Sequence, residues 1–292
     1  MHVIFRESHG LDEADTPRDL RQTPADLVVL SLSDSDLGAF ASGWRRAKAT
    51  AGADMPSLRL ANLVALKHPL SVDTYIDNTL HAARGILIRL IGGVPYWPYG
   101  LQSVAALARE KGIALAILPA DGRQDTQLDE LSTLPISTLR RLGDLCATGG
   151  PVAAHAALAQ LALAAGLYAT PVLGDKALPI YGFWSPKQGL TSPLTTETTE
   201  TTETTETTET TETTETTETT EHAAPRLAIT FYRSFLSASD TSPIQALFDT
   251  FEQRGFDVYG LFIPSLKAPE AAKWLVQQLH ALAPDAIVNA TS

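Results

Sequence analysis

Arg84–Leu118, RGILIRLIGGVPYWPYGLQSVAALAREKGIALAIL, decides the fold. Ile86–Ile91 is an apolar run interrupted by Arg89 alone, half of it isoleucine, and stops at Gly92-Gly93. Such a run, bounded by a turn signal, reads as a strand buried on both faces. Apolar residues at helical spacing follow from about Leu101 to Lys111, and Ile113–Leu118 is a second apolar strand. Strand, helix and strand in this order predict a parallel sheet with helices on its faces. Between the first strand and the helix lies Pro95-Tyr96-Trp97-Pro98-Tyr99-Gly100. Three aromatic rings in a loop stiffened by two prolines stand where a strand ends, and open α/β sheets bind ligands at that end.

The pattern extends on both sides. Upstream, Val3–Phe5 and Leu27–Leu32 read as strands, and Ser33-Asp34-Ser35-Asp36 supplies an N-cap for a helix to about Ala47. Leu58–Leu66 fits a strand or a helix, and Ser71-Val72-Asp73 opens a helix to about Ala83. Downstream, Leu139–Leu167 is helical and alanine-rich, broken at Gly149-Gly150-Pro151, where the proline suits a first helical turn. Leu178–Trp184 reads as a further strand or an aromatic-rich extended segment. Leu227–Phe231, Ser242–Arg254, Phe256–Ile263, Pro269–Leu282 and Ala286–Val288 then read β-α-β-α-β, the opening half of a doubly wound unit with unpaired sheet edges.

Between these parts, Thr195–Glu221 is nine copies of Thr-Thr-Glu. Threonine is a poor helix former, repeated negative charge resists compaction, and no copy carries an apolar residue to bury. The segment reads as a disordered linker. The expected organisation is an N-terminal α/β domain over 1–186, a linker over 187–224 and the truncated start of a second α/β domain over 225–292.

Composition limits the functions available. The net charge is −11, but nine of the 33 acidic residues are the glutamates of the repeat; without them 24 acidic residues face 22 basic ones, a net −2. No clustered basic face for nucleic acid is expected. The start of the chain lacks the apolar core of a signal peptide, and no run reaches the length of a membrane span, so a cytoplasmic protein is expected. Cys146 is the one cysteine and sits in an apolar helical pattern, as an inert buried thiol would. The seven histidines show no ligand spacing, so no metal site is expected. Neither G-x-G-x-x-G nor a lysine-bearing P-loop is present, which argues against nucleotide binding. No nucleophile elbow or Ser-His-Asp signature occurs, and no catalytic residue is assigned.

Six residues stand out for binding. Tyr96, Trp97 and Tyr99 offer rigid faces to stack a flat macrocycle, or else plug one end of the sheet. Arg89 lies inside an apolar strand, where its charge needs a structural ion pair or a substrate carboxylate or amide. Tyr232 and Arg233 directly follow a strand, and a guanidinium there suits a carboxylate.

The segments IRLIGGVPYWPYG, ALAREKGIALAILPADGRQD and ITFYRS resemble the N-terminal region of the cobaltochelatase and magnesium chelatase large-subunit family. The likeness extends loosely over the chain outside the repeat. Members of that family are several times longer, so the resemblance implies an N-terminal piece. It further implies a complex that uses ATP to insert cobalt into a corrin macrocycle, hydrogenobyrinic acid a,c-diamide, on the aerobic route to cobalamin. The large subunit would hold the macrocycle and metal, and separate ATPase-type subunits would drive insertion. The chelation residues are expected beyond Ser292, so this piece alone is expected to be inactive and to bind no cofactor itself. A magnesium chelatase-type porphyrin-binding subunit and a non-catalytic tetrapyrrole-binding module are the alternatives.

Overall fold

The computed structural model describes residues 16–51, 55–167, 178–191 and 224–291. The strand expected at Val3–Phe5 and the Thr-Thr-Glu repeat lie outside the described residues. The chain divides into two compact units: Met1–Pro179 with Arg233–Thr241, and Ile180–Tyr232 with Ser242–Ser292.

In the first unit β1 (Leu27–Ser31), β2 (Leu58–Asn62), β3 (Gly85–Leu90) and β4 (Ala114–Pro119) form a wholly parallel sheet in the order β2-β1-β3-β4. The ambiguous run Leu58–Leu66 is a strand as far as Asn62 and a 3₁₀ turn over Leu63–Leu66. The side chains alternate between two cores, as period-2 geometry demands. Val28, Leu30, Ile86, Ile88, Leu115 and Ile117 face one side, packed by Val72 and Tyr75 of α2 (Pro69–Asn78) and by Leu101, Val104 and Ala108 of α3 (Pro98–Lys111). Leu27, Val29, Leu87 and Leu118 face the other. There they meet Phe40 of α1 (Asp34–Ala51), Leu142 of α5 (Ile136–Thr148), and Leu158 and Leu161 of α6 (Gly150–Ala164). A short α4 (Thr126–Leu131) links β4 to α5.

Local sequence explains the helix ends. Ser33 caps α1, its hydroxyl accepting from the Asp36 amide at 3.3 Å. Pro69 occupies the first turn of α2, whose cap is the His68 ring. Gly112 ends α3 in the left-handed conformation that glycine adopts without strain.

The second unit carries a mixed sheet ordered β6-β5-β8-β7-β9. β7 (Arg226–Tyr232), β8 (Asp257–Ile263) and β9 (Ala286–Ala290) are parallel, joined through α8 (Ser242–Glu252) and α9 (Pro269–Leu282). β5 (Gly182–Ser185) and β6 (Gly189–Thr191) add an antiparallel hairpin. Two expectations are corrected here. The aromatic segment ending at Trp184 belongs to the second sheet and not to the first domain, and one edge of the β7–β8 half-sheet is paired. The driving force is aromatic: Trp184 meets Phe231 and Phe248 edge-on at 5.8 Å each. Gly260 makes room, since a Cβ there would stand 2.5 Å from the Trp184 carbonyl.

The two units trace the same path. Leu27 pairs with Leu58 and Leu227 with Val258, the same separation along the chain, and each time the third strand pairs on the opposite side of the first. Leu66-Lys67-His68-Pro69 leads into α2 as Leu266-Lys267-Ala268-Pro269 leads into α9, and Leu80-His81-Ala82 recurs as Leu279-His280-Ala281 before the third strand.

Candidate functional site

In the first sheet the chain leaves β1 toward β2 on one side and returns to β3 on the other. The carboxyl ends of β1 and β3 therefore flank a topological switch point, the place where open α/β sheets form a ligand crevice. Ser31 and Arg89 are cross-strand partners there.

Arg89 is 6% exposed. By alternation it turns to the side of α1, α5 and α6. Its Nη1 donates to Asp36 Oδ1 at 2.6 Å, and the Ser31 hydroxyl donates to the other carboxylate oxygen, Oδ2, at 2.9 Å. Asp36 is brought there by the cap of α1, which starts directly after β1. The ion pair that a charge inside an apolar strand requires is thus supplied by the neighbouring strand–helix turn. Among the described residues, Arg89 Nε is buried without a hydrogen-bond partner. Cys146, in the last turn of α5, feels both charges; burial pushes its thiol up to about 11, with Arg89 opposing and Asp36 reinforcing the shift.

The aromatic loop falls toward the opposite side, over α2 and α3. Gly92 and Gly93 both have positive φ, 83° and 73°, and carry the chain out of β3. The three rings then separate. Trp97 is core, 5% exposed, with its indole N–H donating to the Leu66 carbonyl at 2.8 Å. Its ring covers Gly100, where a Cβ would lie 2.0 Å from the indole. Tyr96 is 66% exposed and lies over Gly92, where a Cβ would stand 2.1 Å from its ring. Tyr99, 44% exposed, donates from its hydroxyl to Asp73 Oδ1 at 2.7 Å; that hydrogen bond holds the phenol above its ordinary pKa. Val64 and Leu70, after the carboxyl end of β2, are exposed as well. The carboxyl end on this side therefore presents two tyrosine faces and aliphatic surface, with a carboxylate at Asp73. Exposed aromatic faces beside a carboxylate have the chemistry to stack a flat conjugated ring and to meet a polar edge.

Arg89, on the other side of the sheet, and the remaining two candidates are placed apart from this surface. Tyr232 is buried at the end of β7 in the second unit. Arg233 opens the short helix α7 (Arg233–Ser237), which belongs to the first unit. Its Nε donates to the Pro179 carbonyl at 2.9 Å, and Nη2 to the Thr148 and Leu178 carbonyls at 2.8 and 2.9 Å. Burial lowers its pKa. These bonds tie α7 to the end of α5 and to Leu178-Pro179. Asp36 and Asp73 were missed by the sequence reading. Asp36 had a signal, being the third residue of a helix that follows the strand beside Arg89. Asp73 had none, because its contact with Tyr99 depends on how α2 and α3 pack.

Among the described residues, no group of three or more His, Cys, Asp or Glu side chains converges in a way that would hold a metal ion. No helix among them is long and apolar enough to cross a membrane.

Residues 155–292 match a family model described as CobN/Magnesium Chelatase. The aerobic cobaltochelatase subunit CobN of Sinorhizobium sp is 29% identical over 293 residues, covering 100% of this chain and 21% of the relative. The subunit of the same name from Pseudomonas aeruginosa is 39% identical over 150 residues, which are 51% of this chain and 12% of the relative. Among solved structures, the catalytic subunit of cobaltochelatase from Mycobacterium tuberculosis matches with a TM-score of 0.59 at 22% identity, over 90% of this chain and 18% of that one. That likeness is one of fold. The chain spans about a fifth or less of the length of these relatives.

Proposed function

We propose that the chain is a member of the CobN/magnesium chelatase family and an N-terminal portion of the large subunit of an ATP-dependent cobaltochelatase, a reading supported by the family-model match over residues 155–292 and by the full-length similarity to a cobaltochelatase subunit. The substrates would be cobalt and hydrogenobyrinic acid a,c-diamide, in aerobic cobalamin biosynthesis in the cytoplasm. ATPase-type subunits are the partners that this reading requires, and they would bind the ATP. The observation that carries it is similarity to a cobaltochelatase subunit along the full length of the chain.

Within this portion, the exposed Tyr96 and Tyr99 are the groups suited to the flat face of the macrocycle, with Arg89 at the neighbouring switch point for a polar substituent. Trp97 acts through them, since its burial fixes the loop that carries both tyrosines. No atom of this chain is assigned a part in forming nitrogen–metal bonds. Its contribution is to bind and orient the ring.

Titrating the chain with hydrogenobyrinic acid a,c-diamide and, separately, with a dicarboxylic porphyrin tests the reading through tryptophan quenching. Saturable binding that prefers the corrinoid supports the cobalt branch. A preference for the porphyrin would move the chain to the magnesium branch, and binding of neither would remove the macrocycle from this portion.

A further inference from the structure

The Arg89 guanidinium is half used. Asp36 meets it end-on at Nη1, through one oxygen, and that is its one hydrogen-bond partner among the described residues. The second oxygen of Asp36 is taken by Ser31, so the pair does not close into the two-bond fork that arginine and carboxylate form when free to do so. Nε is buried with no acceptor for its proton among the described residues, on a side chain that is 8% exposed. Buried N–H groups are nearly always paired, and one that is not calls for an explanation. The flank of an arginine that includes Nε is also the flank that grips a carboxylate with two parallel bonds.

The position adds a second, independent argument. Arg89 and its partner Ser31 stand at the β1/β3 switch point, where a crevice between diverging loops admits a ligand. The nearby thiol of Cys146, pushed up to about 11 by burial, is neutral at physiological pH and sets no negative charge against an incoming anion. Turning the Asp36 carboxylate toward the Nε flank would cost it the hydrogen bond from Ser31. We propose that the Nε flank of Arg89 is the seat of a ligand carboxylate entering the β1/β3 crevice. If the ligand is the macrocycle, one of its peripheral carboxylates is the group seated. That assignment rests on the proposed function; the seat itself does not.

The test follows the Arg89 Nε–H resonance in the ¹⁵N-labelled full chain, assigned through its own side-chain correlations. Sodium acetate is titrated against sodium chloride at matched ionic strength. A saturable shift of this resonance with acetate and not with chloride is expected. A resonance unmoved throughout the millimolar range of acetate overturns the seat. Hydrogenobyrinic acid a,c-diamide is then titrated into the wild type and into Arg89→Lys, which keeps the charge and the contact with Asp36 but offers no second flank. About tenfold weaker binding by the variant is expected for losing a charged hydrogen bond. Equal affinity for the macrocycle in both overturns its assignment to this seat. Acetate binding at Arg89 with no macrocycle binding by the wild type leaves the seat standing and removes the macrocycle from this portion.

Discussion

The Trp97 indole and Gly100 fit each other so closely that substituting both should behave unlike the sum of the parts. Trp97→Ala removes a side chain that is 5% exposed and leaves the Leu66 carbonyl without its donor. Truncating a buried aromatic to alanine costs about 3–5 kcal/mol. Gly100→Ala puts a methyl group 2.0 Å from the indole, nearer than any real contact, so ring or helix must shift. Overpacking of this kind costs about 1–3 kcal/mol. Once the ring is gone, the same alanine meets open space in α3, where it should be neutral or stabilising by up to about 1 kcal/mol. The two changes are therefore coupled by roughly 2 kcal/mol, well outside the additivity of independent sites. Urea unfolding of the four proteins by circular dichroism gives the totals, and exchange protection of the β3 and α3 amides shows that the loss is local. Gly100→Ala equally harmful in both backgrounds would refute the contact. A Trp97→Ala cost below about 1 kcal/mol would refute the core placement of the indole.

Tyr96→Ala, by contrast, removes an exposed ring and should leave stability within about 0.5 kcal/mol. It should weaken corrinoid binding about two- to tenfold if Tyr96 stacks on the macrocycle, as the roughly 0.5–1.5 kcal/mol of an aromatic contact implies; tryptophan quenching measures both ligand affinities on one preparation. The Asp26 carboxylate is held below its ordinary pKa mainly by the Ser57 hydroxyl at 2.5 Å and amide at 2.8 Å. A depressed carboxylate contributes stability above its unfolded pKa and loses it as pH falls through the folded value. Ser57→Ala should therefore flatten the decline of the unfolding midpoint on acidification below about pH 4, and an unchanged acid profile would count against the bond. Deleting 195–221 should leave the midpoint within a degree or so, because the repeat holds no apolar residue to bury; a large fall in the thermal scan would show that it contributes to the fold.

How far the sequence could be read depended on whether the deciding contact was local. β1, β3, β4 and their helices were legible because each apolar run is bounded by its own punctuation, such as Gly92-Gly93 or Ser33 before α1. Leu58–Leu66 was not, since a strand ending in a 3₁₀ turn has no single period. Which sheet takes the segment ending at Trp184 was not legible, because its aromatic residues suit any sheet, and Gly189–Thr191 carries no strand signal beside the repeat. Contacts far along the chain decide which one it joins, among them the fit of Trp184 against Phe231 and Phe248 and of Phe183 against Trp274. The same limit divides the binding candidates. That Tyr96, Trp97 and Tyr99 mark a carboxyl end follows from sequence, but which ring turns inward is settled by the space at Gly100 and the acceptor at Leu66. Arg89 was recognisable as a charge in need of a partner, and Asp36 became that partner through a helix cap that sequence alone assigns to a different job.

The matching registers of the two units give the chain a reference copy of itself. Leu66-Lys67-His68-Pro69 and Leu266-Lys267-Ala268-Pro269 are two solutions to one problem, how to launch a helix after a second strand, differing in whether an imidazole or no side chain caps it. Positions that agree between the copies mark what the shared architecture demands, whereas disagreements are where the copies have been free to specialise. Arg89 falls in the second group: counted from the pairs Leu27–Gly85 and Leu227–Ala286, its counterpart is Ala290. The guanidinium is thus no requirement of the architecture. Whatever keeps a buried cation in one copy acts on that copy alone.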